Sequence, residues 1–239
     1  MRAFTAVAFL AALASAQQPV CAEGLQIFIA RGTGEAPGPG VTGNLGQAVA
    51  GLIPGSRVQG VDYPASLDNP GYFDSVKNGT KTLRDNLVEY AAACPNGKVA
   101  VMGYSQGAQI TANAICGTNI AWSPFPDSGE NLAALGQDVT KNIVGVVLFG
   151  DPTNPPQASF RKGSAKGHGM FNRPDISACE ALGDRIVSYC DEGDVFCDAG
   201  SPPVTLVHLV YVQVYGQEVV QYLVRQFQSA NLPPRALPR

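Results

Sequence analysis

Charge is scarce in this chain: Asp, Glu, Lys and Arg supply 15% of its 239 residues, where an average globular protein has roughly a quarter. Histidine occurs twice and tryptophan once. So little charge, beside 45% hydrophobic residues, excludes a disordered acidic tail and a coiled coil, both of which depend on charged surface. The 16 basic residues are outnumbered by 19 acidic ones, giving a formal charge of −3, and they are scattered. Phosphate binding needs concentrated Lys and Arg, so nucleic acid is excluded as a partner and a neutral or polymeric substrate fits better. No stretch reaches the roughly 20 apolar residues of a membrane span, and no integral membrane association is expected. There is no Cys-x-x-Cys pair to seed a zinc site, with only His168 and His208 to complete one. The Gly-rich segment Arg31–Gly43 has no Gly-Lys-Ser/Thr opening a helix, and reads as a flexible or substrate-facing loop rather than a phosphate cradle. Neither metal nor organic cofactor is expected.

What is present begins with a short basic start at Met1-Arg2, an apolar run from Ala3 to Ala14, and the small-x-small pattern Ala14-Ser15-Ala16. Residues 1–16 therefore read as a secretory signal peptide. Residues 17–230 show no linker, repeat or low-complexity stretch and are expected to form one domain, with 231–239 as a loose Pro-rich tail. In an oxidising compartment the six cysteines suggest three disulfides, for which sequence alone allows 15 pairings. Asn78-Gly-Thr80 is a glycosylation sequon. The expectation is a secreted, extracellular monomer.

Short apolar runs alternate with amphipathic stretches. Strands are expected at 25–30, 57–61, 98–102, 142–149 and 185–189, several of them apolar on both faces, and helices at 72–93, 106–116, 130–141 and 211–228. That alternation implies an α/β fold, a mostly parallel central sheet with helices on both faces, whose active site lies at the carboxyl ends of the strands. No long insertion suggests a lid. Ala199–Leu206 is a candidate wall for an acyl groove.

The run 98–102 leads directly into Gly103-Tyr104-Ser105-Gln106-Gly107 and then a helix, which is G-x-S-x-G in its strand–turn–helix setting. Glycine flanks the serine because the turn is too sharp for neighbouring Cβ atoms, and the turn aims the following N–H groups at a nascent oxyanion. Ser105 is the candidate nucleophile. A serine hydroxyl needs a base, and two histidines leave two sets: Asp194 with His208, or Asp151 with His168. Both follow the order Ser, Asp, His of α/β-hydrolases. The first set is favoured because a Cys190–Cys197 bridge would hold the acid rigidly. In the plain alternative His168 is a surface residue in a Gly-rich turn, and Asp151 caps a turn.

Several motifs together resemble the fungal cutinase family of serine esterases, the group of cutinases and acetylxylan esterases. They are Ala30-Arg-Gly-Thr33, Cys94 eleven residues before Ser105, Gly103-Tyr-Ser-Gln-Gly107, Cys190-Asp-Glu-Gly-Asp-Val-Phe-Cys197 and His208-Leu-Val-Tyr211. The resemblance implies an α/β-hydrolase-type three-layer sandwich without a lid, Ser105, Asp194 and His208 as the triad, and an oxyanion hole from Gln106 and Thr33. It makes Asn69 a candidate supporting residue, with a plain turn before Pro70 as the alternative. It also implies the bridges Cys21–Cys94 and Cys190–Cys197, with Cys116–Cys179 as the extra bridge of acetylxylan esterases. Phe149-Gly-Asp-Pro152 and Asn172-Arg-Pro174 look closer to acetylxylan esterases, and His208-Leu-Val-Tyr211 to cutinases. The implied activity is hydrolysis of carboxylic esters in plant polymers.

Overall fold

The computed structural model describes residues 19–118, 131–204 and 206–232; the expected signal peptide and most of the expected tail lie outside them. Six strands, β1 (Leu25–Ala30), β2 (Arg57–Gly60), β3 (Lys98–Tyr104), β4 (Ile143–Phe149), β5 (Arg161–Lys162) and β6 (Ile186–Tyr189), form one sheet in the order β2-β1-β3-β4-β6-β5. Every pairing is parallel. All of β1 and β4 is buried, which is why those runs are apolar at consecutive positions rather than alternating.

Successive side chains in these strands feed two separate cores. Phe28, Val101, Val146 and Leu148 pack with α2 (Tyr72–Ala93) and α3 (Gln106–Cys116). Ile27, Ile29, Met102, Val147 and Phe149 pack with α1 (Gly43–Leu52) and α6 (Tyr211–Ala230). The result is a three-layer sandwich with one sheet in the middle. The chain steps from β1 outward to β2 and then crosses back to β3, so a crevice opens between the carboxyl ends of β1 and β3.

The helix expected at 130–141 is reduced to α4 (Gln137–Thr140). Leu132 instead pairs with Thr118 in an antiparallel bridge, and Gly136 delays the helix start; residue 130 lies outside the described residues. Helix α1 was not expected. Three of its ten residues are glycine, and Gly46 is one of them because a Cβ there would stand 2.8 Å from the Ile29 side chain. Strand β5 has two residues and α5 (Ser177–Glu180) four, too few for any periodicity to register.

Three disulfides tie the layers, in the pairing the resemblance implies. Cys21–Cys94 fastens the segment before β1 to the end of α2, Cys116–Cys179 joins α3 to α5, and Cys190–Cys197 closes the loop after β6. Among the described residues no helix is long and apolar enough to cross a membrane.

Leu83 is fully buried under α2, whereas Leu52 at the end of α1 is 62% exposed. Leu83→Ala is expected to cost about 2–5 kcal/mol of unfolding free energy and Leu52→Ala less than about 0.5 kcal/mol, read from urea midpoints.

Candidate active site

Strand β3 ends at Tyr104 and α3 begins at Gln106, so the whole reversal falls on Ser105, whose backbone is at φ 55° and ψ −119°. A non-glycine residue there is strained by about 1–3 kcal/mol. Its N–H donates to the Phe149 carbonyl at 2.8 Å, and its carbonyl accepts from Ala108 and Gln109. The neighbouring glycines are required by contact. A Cβ on Gly107 would overlap the Ala30 carbonyl, and one on Gly103 would stand 2.7 Å from the Ala108 Cα. Backbone therefore packs on backbone, and the Ser105 hydroxyl projects, half-buried, above the sheet.

His208 lies in a short 3₁₀ turn, Val207–Leu209, just before α6. Its Nε2 is 2.9 Å from Ser105 Oγ and its Nδ1 is 2.8 Å from Asp194 Oδ2. The imidazole is flanked by the Phe196 ring at 4.5 Å and the Tyr104 ring at 5.6 Å. The Tyr104 hydroxyl donates to the His208 carbonyl. Serine, histidine and aspartate are thus in one hydrogen-bonded line, as acyl transfer by a serine hydroxyl requires.

Asp194 is 1% exposed. Burial pushes its carboxyl up, but donors from His208, the Tyr211 hydroxyl and the Phe196 amide outweigh this and hold it below the usual carboxylate range. Tyr211 donates to the same Oδ2 at 2.7 Å, and the Phe196 N–H to Oδ1 at 2.9 Å. Tyr211 also accepts from the Asp191 amide, so α6 anchors the start and the middle of the loop that the Cys190–Cys197 bridge closes.

The other set is not assembled. Asp151 is buried and accepts from the amide and hydroxyl of Thr153, and burial raises its pKa despite those bonds. His168 Nδ1 faces the Gly169 carbonyl at 2.8 Å, in a turn bridged to Ala199.

Across the crevice, the loop after β1 presents Thr33. The amides around it are occupied: Gly32 donates to Glu35 Oε2 at 2.5 Å, Gly34 to the Ala65 carbonyl at 2.7 Å, and Glu35 to the Gly32 carbonyl. Glu35 Oε1 also accepts from the Val41 amide at 2.7 Å. Arg31, 2% exposed, sends its guanidinium to the carbonyls of Glu35, Val61 and Tyr63 and lies over the Tyr63 ring. Loop and neighbouring segment are thereby locked together, with Thr33 lining the crevice. The Thr33 hydroxyl accepts from Gln106 Nε2 at 3.2 Å, which leaves its own proton available to an incoming oxyanion. The Gln106 N–H is in the first turn of α3, where amides lack an intrahelical acceptor and the helix dipole is positive.

Asn69 is exposed, and its amide donates to Ser66 Oγ; the structure does not bring its side chain to the site. Gln106 is supported instead by the Ser75 hydroxyl at 2.8 Å and the Ser66 carbonyl at 3.0 Å. Sequence reasoning did not single out Ser75, Glu35 or Tyr211 for these roles. The available signals were the Arg and Glu inside a glycine-rich loop of a charge-poor chain, and Tyr211 three residues after His208.

The crevice widens over Ser105 into a cleft of 520 Å³ walled by Leu67, Tyr72, Phe73, Phe171, Phe196 and Leu209. Tyr72, Phe73 and Phe171 pack with centroids 5.4–5.6 Å apart, Phe73 edge to face with the other two rings. The Ala199–Leu206 segment expected as an acyl wall does not border it: Val204 folds back onto the Gly193 carbonyl. Thr205 lies outside the described residues.

A hydroxyl on a strained elbow, aligned with an imidazole and a buried carboxylate before a helix N-terminus, belongs to the serine-dependent ester hydrolases of the α/β type. Within that class the chain belongs to the cutinase family, whose family model matches residues 21–227. It is 31% identical over 219 residues to the acetylxylan esterase of Hypocrea jecorina, a match covering 88% of this chain and 69% of that protein. It is 29% identical over 215 residues to cutinase 11 of Verticillium dahliae, covering 88% and 71%. Among solved structures, the catalytic core domain of acetyl xylan esterase from Trichoderma reesei superposes with a TM-score of 0.77 at 29% identity, covering 87% of this chain and all of that one. A cutinase-like protein from Cryptococcus sp. shares the fold at a TM-score of 0.63 and 19% identity, covering 87% and 98%.

Glu35→Gln would turn one acceptor oxygen into a donor facing an amide N–H and loosen the loop around Thr33. The kcat for p-nitrophenyl ester hydrolysis is expected to fall about 10-fold, short of the 10²–10³ for an oxyanion donor removed outright, with KM within about twofold. Tyr211→Phe removes one donor from a carboxylate whose pKa folding lowers. Such a group adds stability above its unfolded value of about 4 and loses it as the pH falls through the folded value. The urea-unfolding gap between wild type and Tyr211→Phe is therefore expected to be about 1–2 kcal/mol at neutral pH and to shrink in acid. A gap that does not change with pH would contradict this.

Proposed function

We propose that this chain is an exported serine esterase that hydrolyses carboxylic esters of plant cell-wall or surface polymers, with Ser105 as nucleophile, His208 as base and Asp194 as the acid that orients it. The observation that carries the reading is the hydrogen-bonded line from Asp194 through His208 to Ser105 at the floor of an apolar cleft. His208 takes the Ser105 proton as Oγ attacks the ester carbonyl. The oxyanion is met by the Gln106 and Thr33 amides and the Thr33 hydroxyl, and His208 then protonates the departing alcohol. Water, activated by the same imidazole, releases the acid from the acyl-enzyme. Asp194 stays ionised throughout, fixing the imidazole tautomer and stabilising the imidazolium. Three disulfides, which persist in oxidising compartments, and the leader-like residues 1–16 support export.

The aromatic and aliphatic walls of the cleft favour an ester with an apolar chain, and one relative is named a cutinase. A second reading, removal of acetyl groups from xylan, is favoured by the superposition on acetylxylan esterases at TM-scores of 0.77 and 0.78. An acetyl group would leave most of a 520 Å³ cleft unfilled.

A series of p-nitrophenyl esters from acetate to palmitate, run beside acetylated xylan and a cutin-like polyester, separates the two. The kcat/KM is expected to hold or rise from acetate to medium chains, and Ser105→Ala to lose activity by roughly 10⁶-fold. A steep fall beyond acetate with acetate released from xylan would favour the second reading, and Ser105→Ala at wild-type rate would overturn both.

A further inference from the structure

We propose that Asn78 carries an N-linked glycan, added before the chain folds. Asn78 sits on the outer, exposed face of α2, but the other two residues of its acceptor tripeptide point inward. Thr80 is 2% exposed and shares the helix face of Val76, Leu83 and Leu87, which belong to the core beneath the helix. Its hydroxyl is buried with no hydrogen-bond partner among the described residues. Valine has the same shape without an oxygen to desolvate, so in the folded protein the hydroxyl is a cost without a return. The acceptor sequence accounts for it: Asn-x-Thr needs the hydroxyl at its third position, and Asn78-Gly-Thr80 is the single such tripeptide of the chain.

The same geometry sets the order of events. Gly79 is buried as well, its Cα facing the Tyr63 ring so closely that a Cβ would lie 2.9 Å from it. Once α2 has docked, only Asn78 is accessible, and a transferase that must read all three residues has nothing to grip. Modification therefore precedes docking of α2, and folding then hides the recognition hydroxyl while leaving the sugar in solvent. The proposal rests on export through a compartment that glycosylates.

The test is to secrete the full chain from a eukaryotic host and weigh the protein recovered from the medium before and after peptide N-glycosidase F. Wild type is expected to lose the mass of one glycan and Thr80→Ser to retain the modification at lower occupancy, whereas Asn78→Gln and Thr80→Val carry none. Thr80→Val is also expected to melt at or above the enzymatically deglycosylated wild type, with ester hydrolysis unchanged. Secretion of wild type without a mass loss overturns the glycan alone, and absence of the chain from the medium overturns export and glycan together. A glycan persisting on Asn78→Gln places the sugar elsewhere and overturns the site. Thr80→Val melting well below deglycosylated wild type shows that the hydroxyl serves the fold and overturns the argument from Thr80.

Discussion

The contact on which the rest of the site depends is backbone against backbone, where the first turn of α3 meets the end of β1. Gly107 lies so close to the Ala30 carbonyl that no side chain fits between them, and Gly103 presses on the same turn from β3. This approach forces Ser105 to a positive φ and lifts its hydroxyl out of the sheet. It also fixes the distance between the α3 amides and the Thr33 loop, because that loop starts at the strand end against which Gly107 packs. The strain at one residue is held by two parallel strand ladders and a helix buried at every residue but its last.

Around that contact a few charged groups of a charge-poor chain hold the backbone in place. Arg31 and Glu35 satisfy carbonyls and amides of the loop that carries Thr33, and Asp191 and Asp194 are gripped by Tyr215 and Tyr211 from α6. The buried Arg31 and Asp194 are each met by several hydrogen bonds, which offsets the cost of desolvating them. The Cys190–Cys197 bridge and α6 together confine Asp194, so the imidazole finds its partner already in place.

The parts of this arrangement that were legible in the sequence are those encoded by runs and spacings. Consecutive apolar residues in β1 and β4 follow from burial on both faces, and α2 and α3 fall at their expected limits because their apolar residues recur at helical intervals. Chain order could not separate Asp194 and His208 from Asp151 and His168, since both sets run Ser, Asp, His; separation in space does. Ser75, Glu35 and Tyr211 were not legible because they act on atoms distant in sequence or on backbone amides that no pattern marks. The resemblance of Tyr63–Asn69 to a cutinase segment points to Asn69, yet Gln106 takes its support from Ser75, one turn into α2. Helix α1 was hidden by the glycines that let it lie close to β1.

The central claim, that the strained serine is the acyl-accepting group, is tested most directly by covalent trapping. The protein would be treated with a p-nitrophenyl phosphonate, the released p-nitrophenol counted, and the labelled peptide sequenced by mass spectrometry. The account requires about one equivalent of p-nitrophenol per chain, a single adduct on Ser105, and loss of ester hydrolysis in proportion to labelling. An adduct on any other residue, or full labelling of Ser105 with activity retained, would contradict it.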